Sequence, residues 1–208
     1  MDTRPSSPEI VKSPALHEES DIHVSTYCGT RANSSSEKAL RIGAQAAQEA
    51  GARVTVITGR DLMLPMYDTE VTERDERSTA LIEAVRSAHG IIVSSPGYHG
   101  GISGMMKNAL DYIEDLRDEK PPYLDGRAVG CIAVAYGWQA TVATLHQLRQ
   151  VTHALRGWPT PLGSVVNTSA MSFTPEGALN DAATQDQLRT VGRQVVEFAQ
   201  MRSHQVTG

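Results

Sequence analysis

Apolar positions along this chain follow two alternating periods. Short runs rich in β-branched residues lie at 23–28, 53–58, 90–95, 127–136 and 162–167. Nearly continuous apolar runs of this length suit strands buried on both faces of a parallel sheet. Each is followed by a helical spacing of three and four. The first helical stretch carries Leu40, Gly43, Ala44 and Ala47 and ends at Gly51; the second carries Leu81, Ile82, Val85 and Ala88. The third has Met105, Met106, Ala109, Leu110, Ile113 and Leu116. The fourth has Leu145, Leu148, Val151, Thr152 and Leu155, with Gly157 closing it, and the last has Leu188, Val191, Val195, Phe198 and Ala199. Five strands alternating with five helices predict an α/β fold, a doubly wound five-stranded parallel sheet with helices on both faces. Such sheets most often take the order 2-1-3-4-5 and bind ligands at the carboxyl ends of the strands, where the winding reverses between strands 1 and 3. The loops after Cys28 and after Ser95 are therefore the expected site.

Composition narrows the classes. A chain of 208 residues favours one domain, and this length buries a sizeable core without staples. Residues 1–20, with three prolines and four acids, are expected to be a disordered or loosely docked extension, leaving 21–208 as the folded domain. A net charge of −5 gives no electrostatic footprint for nucleic acid or an anionic membrane. The longest apolar run, 128–136, is too short to span a bilayer, and the extension resembles neither a signal nor a transit peptide. Two cysteines, Cys28 and Cys131, with no Cys-x-x-Cys, leave too few thiols for a structural zinc site or an iron–sulfur cluster. Both fall in strand runs, where cysteine behaves as a small hydrophobe. The seven histidines show no metal-ligand spacing, so no metal is expected. No G-x-S-x-G elbow supplies a hydrolase nucleophile. A cytoplasmic protein is the expectation.

The loop after the first strand reads CGTRANSSSEKAL, and four of the eight residues from Gly29 to Ser36 carry hydroxyls. A phosphate here would meet free helix N–H groups, the positive end of the helix dipole and Arg31. The same letters also fit a capping box, Ser34 with Glu37, which needs no ligand. Neither G-x-x-x-x-G-K-[ST] nor G-x-G-x-x-G is present, which argues against a nucleotide triphosphatase and a dinucleotide fold. The loop after the third strand, SSPGYHGGISGMMKNALD, holds Gly97, Gly100, Gly101 and Gly104 within eight residues. Bare backbone of this kind lets N–H groups approach a flat ligand, and Tyr98 adds an aromatic face. Lys107 and Asp111 have the spacing of an ion pair on the following helix. Met63, Met66, Met105 and Met106 read as core.

The run from Pro96 to Asp111 resembles the signature P-x-Y-x-x-x-x-x-G-x-x-K-N-A-L-D of the NADPH-dependent FMN reductase family. The stretch from Thr30 to Ser36 is similar to that family's phosphate loop. The segment Tyr136-Gly137-Trp138 with Gln147 to Val151 is similar to its third flavin loop and the helix after it. The resemblance implies a flavodoxin-like fold with bound FMN and NADPH or NADH as hydride donor. It implies that Arg31, Ser34 and Ser36 hold the phosphate. Pro96, Gly97, Tyr98, His99 and Gly100 would line the isoalloxazine, mostly through backbone, and Gly137 and Trp138 would approach it from the third loop. It further implies a homodimer or homotetramer, in which Met105 and Met106 could supply apolar contact. Three positions depart from the pattern. Gly29 stands where the family often has Ser, Gly97 where it often has Glu, and Trp138 where small residues are common. The expected function is an FMN-dependent NAD(P)H oxidoreductase that passes electrons to a small-molecule acceptor. Flavin N5 carries the chemistry, so no side chain is assigned as catalytic. The alternative is a non-enzymatic FMN electron carrier, and the low aromatic fraction of 5% favours the enzyme.

Overall fold

The computed structural model describes the backbone of residues 9–11 and 22–206, with side chains from 22 to 203. Its strands are β1 (Glu9–Val11), β2 (His23–Cys28), β3 (Arg53–Ile57), β4 (Gly90–Tyr98), β5 (Gly101–Ile102), β6 (Ala128–Ala135), β7 (Trp158–Pro159) and β8 (Ser164–Asn167). The helices are α1 (Ser35–Glu49), α2 (Glu76–Arg86), α3 (Gly104–Asp111), α4 (Trp138–Ala154) and α5 (Ala182–Val206), with 3-10 turns at Gly59–Leu62 and Tyr112–Leu116.

The parallel sheet runs β3-β2-β4-β6-β8. This is the expected order 2-1-3-4-5. The strand count differs, because three short strands extend the sheet. β1 lies antiparallel along the outer edge of β3, with Ile10 opposite Thr55; the rest of the 1–20 extension lies outside the described residues. β5 folds back on the end of β4. β7 pairs with the start of β6 while β8 pairs with its end, so that edge is shared by two short pieces.

The central strands are buried almost throughout, their side chains alternating between two covered faces. Val24, Cys28, Val54, Ile92, Ile132 and Val166 face α1 and α5. Tyr27, Ile57, Ile91, Val93 and Cys131 face α2, α3 and α4. The winding therefore reverses between β2 and β4. On α1, Leu40, Ala44 and Ala47 form the inward stripe, and Leu40 is fully buried, contributing on the order of 2 kcal/mol. The methionines divide otherwise than expected. Met106 is fully buried, whereas Met63 and Met66 are exposed. The side chain of Asn108 accepts the Tyr67 N–H at 2.8 Å and donates to the Pro65 carbonyl at 2.8 Å, which holds the 64–67 segment on α3. Among the described residues no helix is long and apolar enough to cross a membrane.

Candidate active site

The three loops singled out by sequence follow β2, β4 and β6, adjacent strands at the point where the winding reverses. Adjacent strands lie about 4.8 Å apart, so the three loops are neighbours by construction.

In the first loop Ser34 caps α1, its hydroxyl accepting the Glu37 N–H at 3.2 Å. The buried Glu37 carboxylate accepts the Asn33 N–H at 2.7 Å and the Arg41 Nε–H at 2.8 Å. The capping geometry is thus present, with Glu37 reaching back one residue further than in the usual box, to Asn33 in the left-handed region at φ 60°. It leaves other donors over. Among the described residues, the main-chain N–H groups of Arg31, Ala32, Ser34, Ser35 and Ser36 have no acceptor within the protein. Among the described residues Arg31 has no ion-pair partner; its side chain is exposed, and Ser36 is buried. Five unmatched N–H groups at a helix start, beside an exposed guanidinium, have the chemistry of a cradle for one phosphate monoester.

The second loop is a tight hairpin. Gly97 pairs with Ile102 and Tyr98 with Gly101, leaving a two-residue turn of His99 and Gly100 at φ 52° and 84°. Two positive φ angles in succession are the pattern of a type I′ hairpin turn. The glycines here serve different ends. A Cβ on Gly97 would lie 2.5 Å from Thr144 Oγ1 and 2.9 Å from Ala135 Cβ, so α4 leaves no room for the glutamate of the related pattern. Gly101 abuts Gln147, whose side-chain oxygen accepts the Ile102 N–H at 3.0 Å. At Gly100 nothing lies within 4 Å, so there the turn conformation alone selects glycine. Tyr98 is exposed at the hairpin and Lys107 pairs with Asp111 at 2.6 Å, as the spacing suggests.

The third loop turns at Gly137, φ 101°, into α4 and exposes Tyr136 and Trp138. The buried Asn167 at the end of β8 fixes it, accepting the Gly137 N–H at 2.7 Å and the Ser169 hydroxyl at 2.7 Å. Sequence reasoning missed Asn167, and likewise the ties between the first two loops. The Gly29 N–H donates to the Ser94 carbonyl at 3.0 Å, and the Ser94 hydroxyl to the Ser36 carbonyl at 2.9 Å.

Neither thiol is a reactive group. Burial, and secondarily the charge of Glu37, pushes Cys28 up to about 12, and burial pushes Cys131 up to about 11. Among the described residues no cluster of three His, Cys, Asp or Glu side chains could hold a metal ion.

A model of the NADPH-dependent FMN reductase family matches residues 24–172 of the chain. An NADPH azoreductase from Bacillus sp. (strain OY1-2) is 33% identical over 86 residues, covering 41% of this chain and 45% of that protein. An FMN-dependent NADPH-azoreductase from Staphylococcus aureus is 29% identical over 131 residues, covering 62% of this chain and 65% of the relative. The chain thus spans roughly half to two thirds of the length of these curated relatives. In three dimensions it is similar to the flavoenzyme NAD(P)H:(acceptor) oxidoreductase FerB from Paracoccus denitrificans. The TM-score is 0.71 at 16% identity, over 87% of this chain and 98% of that one, a likeness of fold.

Proposed function

Because the chain belongs to the NADPH-dependent FMN reductase family, we propose that it is an FMN-dependent oxidoreductase drawing hydride from NADPH or NADH and passing electrons to a small-molecule acceptor. The set of unmatched N–H groups at Arg31, Ala32 and Ser34 to Ser36 carries this reading. It suits a single terminal phosphate at the switch point, which favours FMN over FAD. When bound, FMN supplies the redox chemistry, accepting hydride at its ring and giving up two electrons to a second acceptor.

The protein's part is to bind, orient and wall. Arg31 and the N–H groups up to Ser36, with the Ser34 hydroxyl engaged as helix cap, hold the phosphate. Main chain from Pro96 to Gly100, including Tyr98 and His99, would hold the ring from the hairpin, and Gly137 and Trp138 would approach it from the third loop. Main-chain N–H groups held beside the ring would favour growth of negative charge there without reorganisation. No side chain is needed as acid or base. Azo compounds, named for two relatives, and quinones are the acceptors to try. The exposed Met63 and Met66, rather than the buried Met106, offer apolar surface for a homodimer or homotetramer, and the chain works in the cytoplasm.

One slot walled by the hairpin and by Trp138 serves the nicotinamide and a flat acceptor in turn, which requires ping-pong kinetics. Anaerobic addition of NADPH or NADH to the yellow holoprotein is expected to bleach it with no acceptor present. Colour should return on adding a quinone or free flavin. Absence of bleaching, with intersecting double-reciprocal lines, would support the electron-carrier function instead.

Arg31→Ala tests the phosphate end separately. A hydrogen bond to a charged group is worth about 1.5–3 kcal/mol. The variant should therefore bind FMN roughly tenfold or more weakly, while riboflavin, which lacks the phosphate, changes little. Equal losses for the two flavins in a fluorescence titration would make Arg31 a structural residue.

A further inference from the structure

Beyond the bonds through Ser94, the phosphate loop and the ring hairpin are joined by a second side chain, Ser103. Its hydroxyl donates to the Gly29 carbonyl at 2.5 Å and accepts the Met106 N–H at 3.1 Å, capping α3. Its own N–H donates to the Ser95 hydroxyl at 3.0 Å, and that hydroxyl donates in turn to the Pro96 carbonyl at 3.0 Å. Ser103 is 4% exposed and Ser95 fully buried, so water does not compete for these bonds. The chain of bonds thus runs from the residue that opens the phosphate loop, Gly29, through Ser103 and Ser95, to the residue that opens the hairpin, Pro96.

We propose that Ser103 is a positioning residue that sets the distance between the phosphate cradle and the ring hairpin, so that one flavin phosphate engages both ends at once. The inference rests on the FMN reading above. A ligand of fixed length gains the full benefit of two contacts only when the sites are already held at the matching separation. With this tie cut, FMN must restore the separation of the two loops as it binds. Riboflavin, without a phosphate, engages only the ring loops and has no such cost. Ser103 therefore governs the preference for FMN over riboflavin, beyond what it gives to the stability of α3.

The test titrates apoprotein with FMN and with riboflavin by fluorescence and records melting in parallel. The parent should prefer FMN. Ser103→Ala should weaken FMN about tenfold, the scale of one buried hydrogen bond, and riboflavin about twofold or less, so the preference falls. Ser95→Ala keeps the bond from the Met106 N–H to Ser103 and should shift the preference in the same direction, giving a reading if Ser103→Ala does not fold. Asp75→Ala is the control for stability alone. It removes the cap of α2, a helix that belongs to none of the three loops, where the Asp75 carboxylate accepts the Ser78 N–H at 2.8 Å. It should lower melting and leave the preference intact. If Ser103→Ala and Ser95→Ala lower melting or weaken both flavins equally with the preference unchanged, Ser103 is a helix cap only and the inference is wrong. If the parent itself binds riboflavin as tightly as FMN, the phosphate reading fails and the inference falls with it.

Discussion

Gly29→Ser, which supplies the hydroxyl that the related phosphate loops carry, is expected to destroy tight FMN binding rather than improve it. The first loop leaves β2 beneath the start of α3. A Cβ at position 29 would lie 2.5 Å from Met106 Cβ, 2.7 Å from Ser103 Oγ and 3.0 Å from Met106 Cα. Met106 is fully buried, and two of these atoms sit at the root of its side chain, so no flexible end can swing aside. Either α3 or the loop must move, and the bond from Ser103 to the Gly29 carbonyl breaks. Overpacking of this kind costs about 1–3 kcal/mol and the lost buried hydrogen bond about 1 more. The sum corresponds to a loss of FMN affinity on the order of a hundredfold and a fall in melting temperature of about 5–15 °C. A titration showing parental FMN affinity, with unchanged melting, would mean that the loop and α3 part at no cost.

The period of the apolar pattern was enough to read the sheet order and the three loops, because each strand run is buried on both faces and each helix has one clear stripe. Features that depend on a single residue were not legible. At the end of α4 the glycine at 157 looked like the left-handed closing residue. Arg156 takes that conformation instead, at φ 63°. Gly157 serves close packing, since its Cβ would press on Thr152, Val129 and Leu124 at 3.0–3.2 Å. The two-residue strands β5 and β7 are too short to show a period. The polar side chains that organise the site gave no local sign of their partners, although Asn108 falls within the K-N-A-L-D run. Ser103 reaches Gly29 across 74 positions, Asn108 reaches Tyr67 across 41, and Asn167 reaches Gly137 across 30. Each has its partner far off along the chain, and only the fold reveals it. The same holds for the methionines. Spacing places Met106 on the inner stripe of α3, but nothing periodic marks Met63 and Met66 as surface residues in the segment that Asn108 pins.

A loss of stability as large is expected from Gly192→Ala, one methyl group where α5 crosses α1. A Cβ there would fall inside contact distance of the Gly43 carbonyl oxygen, 2.9 Å from the Gly43 carbonyl carbon and 3.2 Å from the Ala47 nitrogen. All three are backbone atoms of α1, so the helices can only separate. Leu188, Val191 and Val195 of α5 would then withdraw from Leu40, Ala44 and Ala47, a region now without exposure beyond 5%. A cost of about 3 kcal/mol or more follows from overpacking at a rigid contact. For a domain of this size that lowers the melting temperature by roughly 6–12 °C. The consequence reaches the site, because the start of α1 presents the unmatched N–H groups of the phosphate cradle. Where the variant still folds, FMN should be weakened more than riboflavin, since only FMN needs α1 in register with the hairpin. Gly104→Ala makes the comparison sharp. Nothing lies within 4 Å of a Cβ at the first residue of α3, and alanine in place of glycine in a helix favours folding by up to about 1 kcal/mol. Differential scanning of the two apoproteins should separate them widely, Gly192→Ala melting well below the parent and Gly104→Ala at or slightly above it. Equal melting temperatures would show that α1 and α5 tolerate separation, and that the cradle is not set by their crossing.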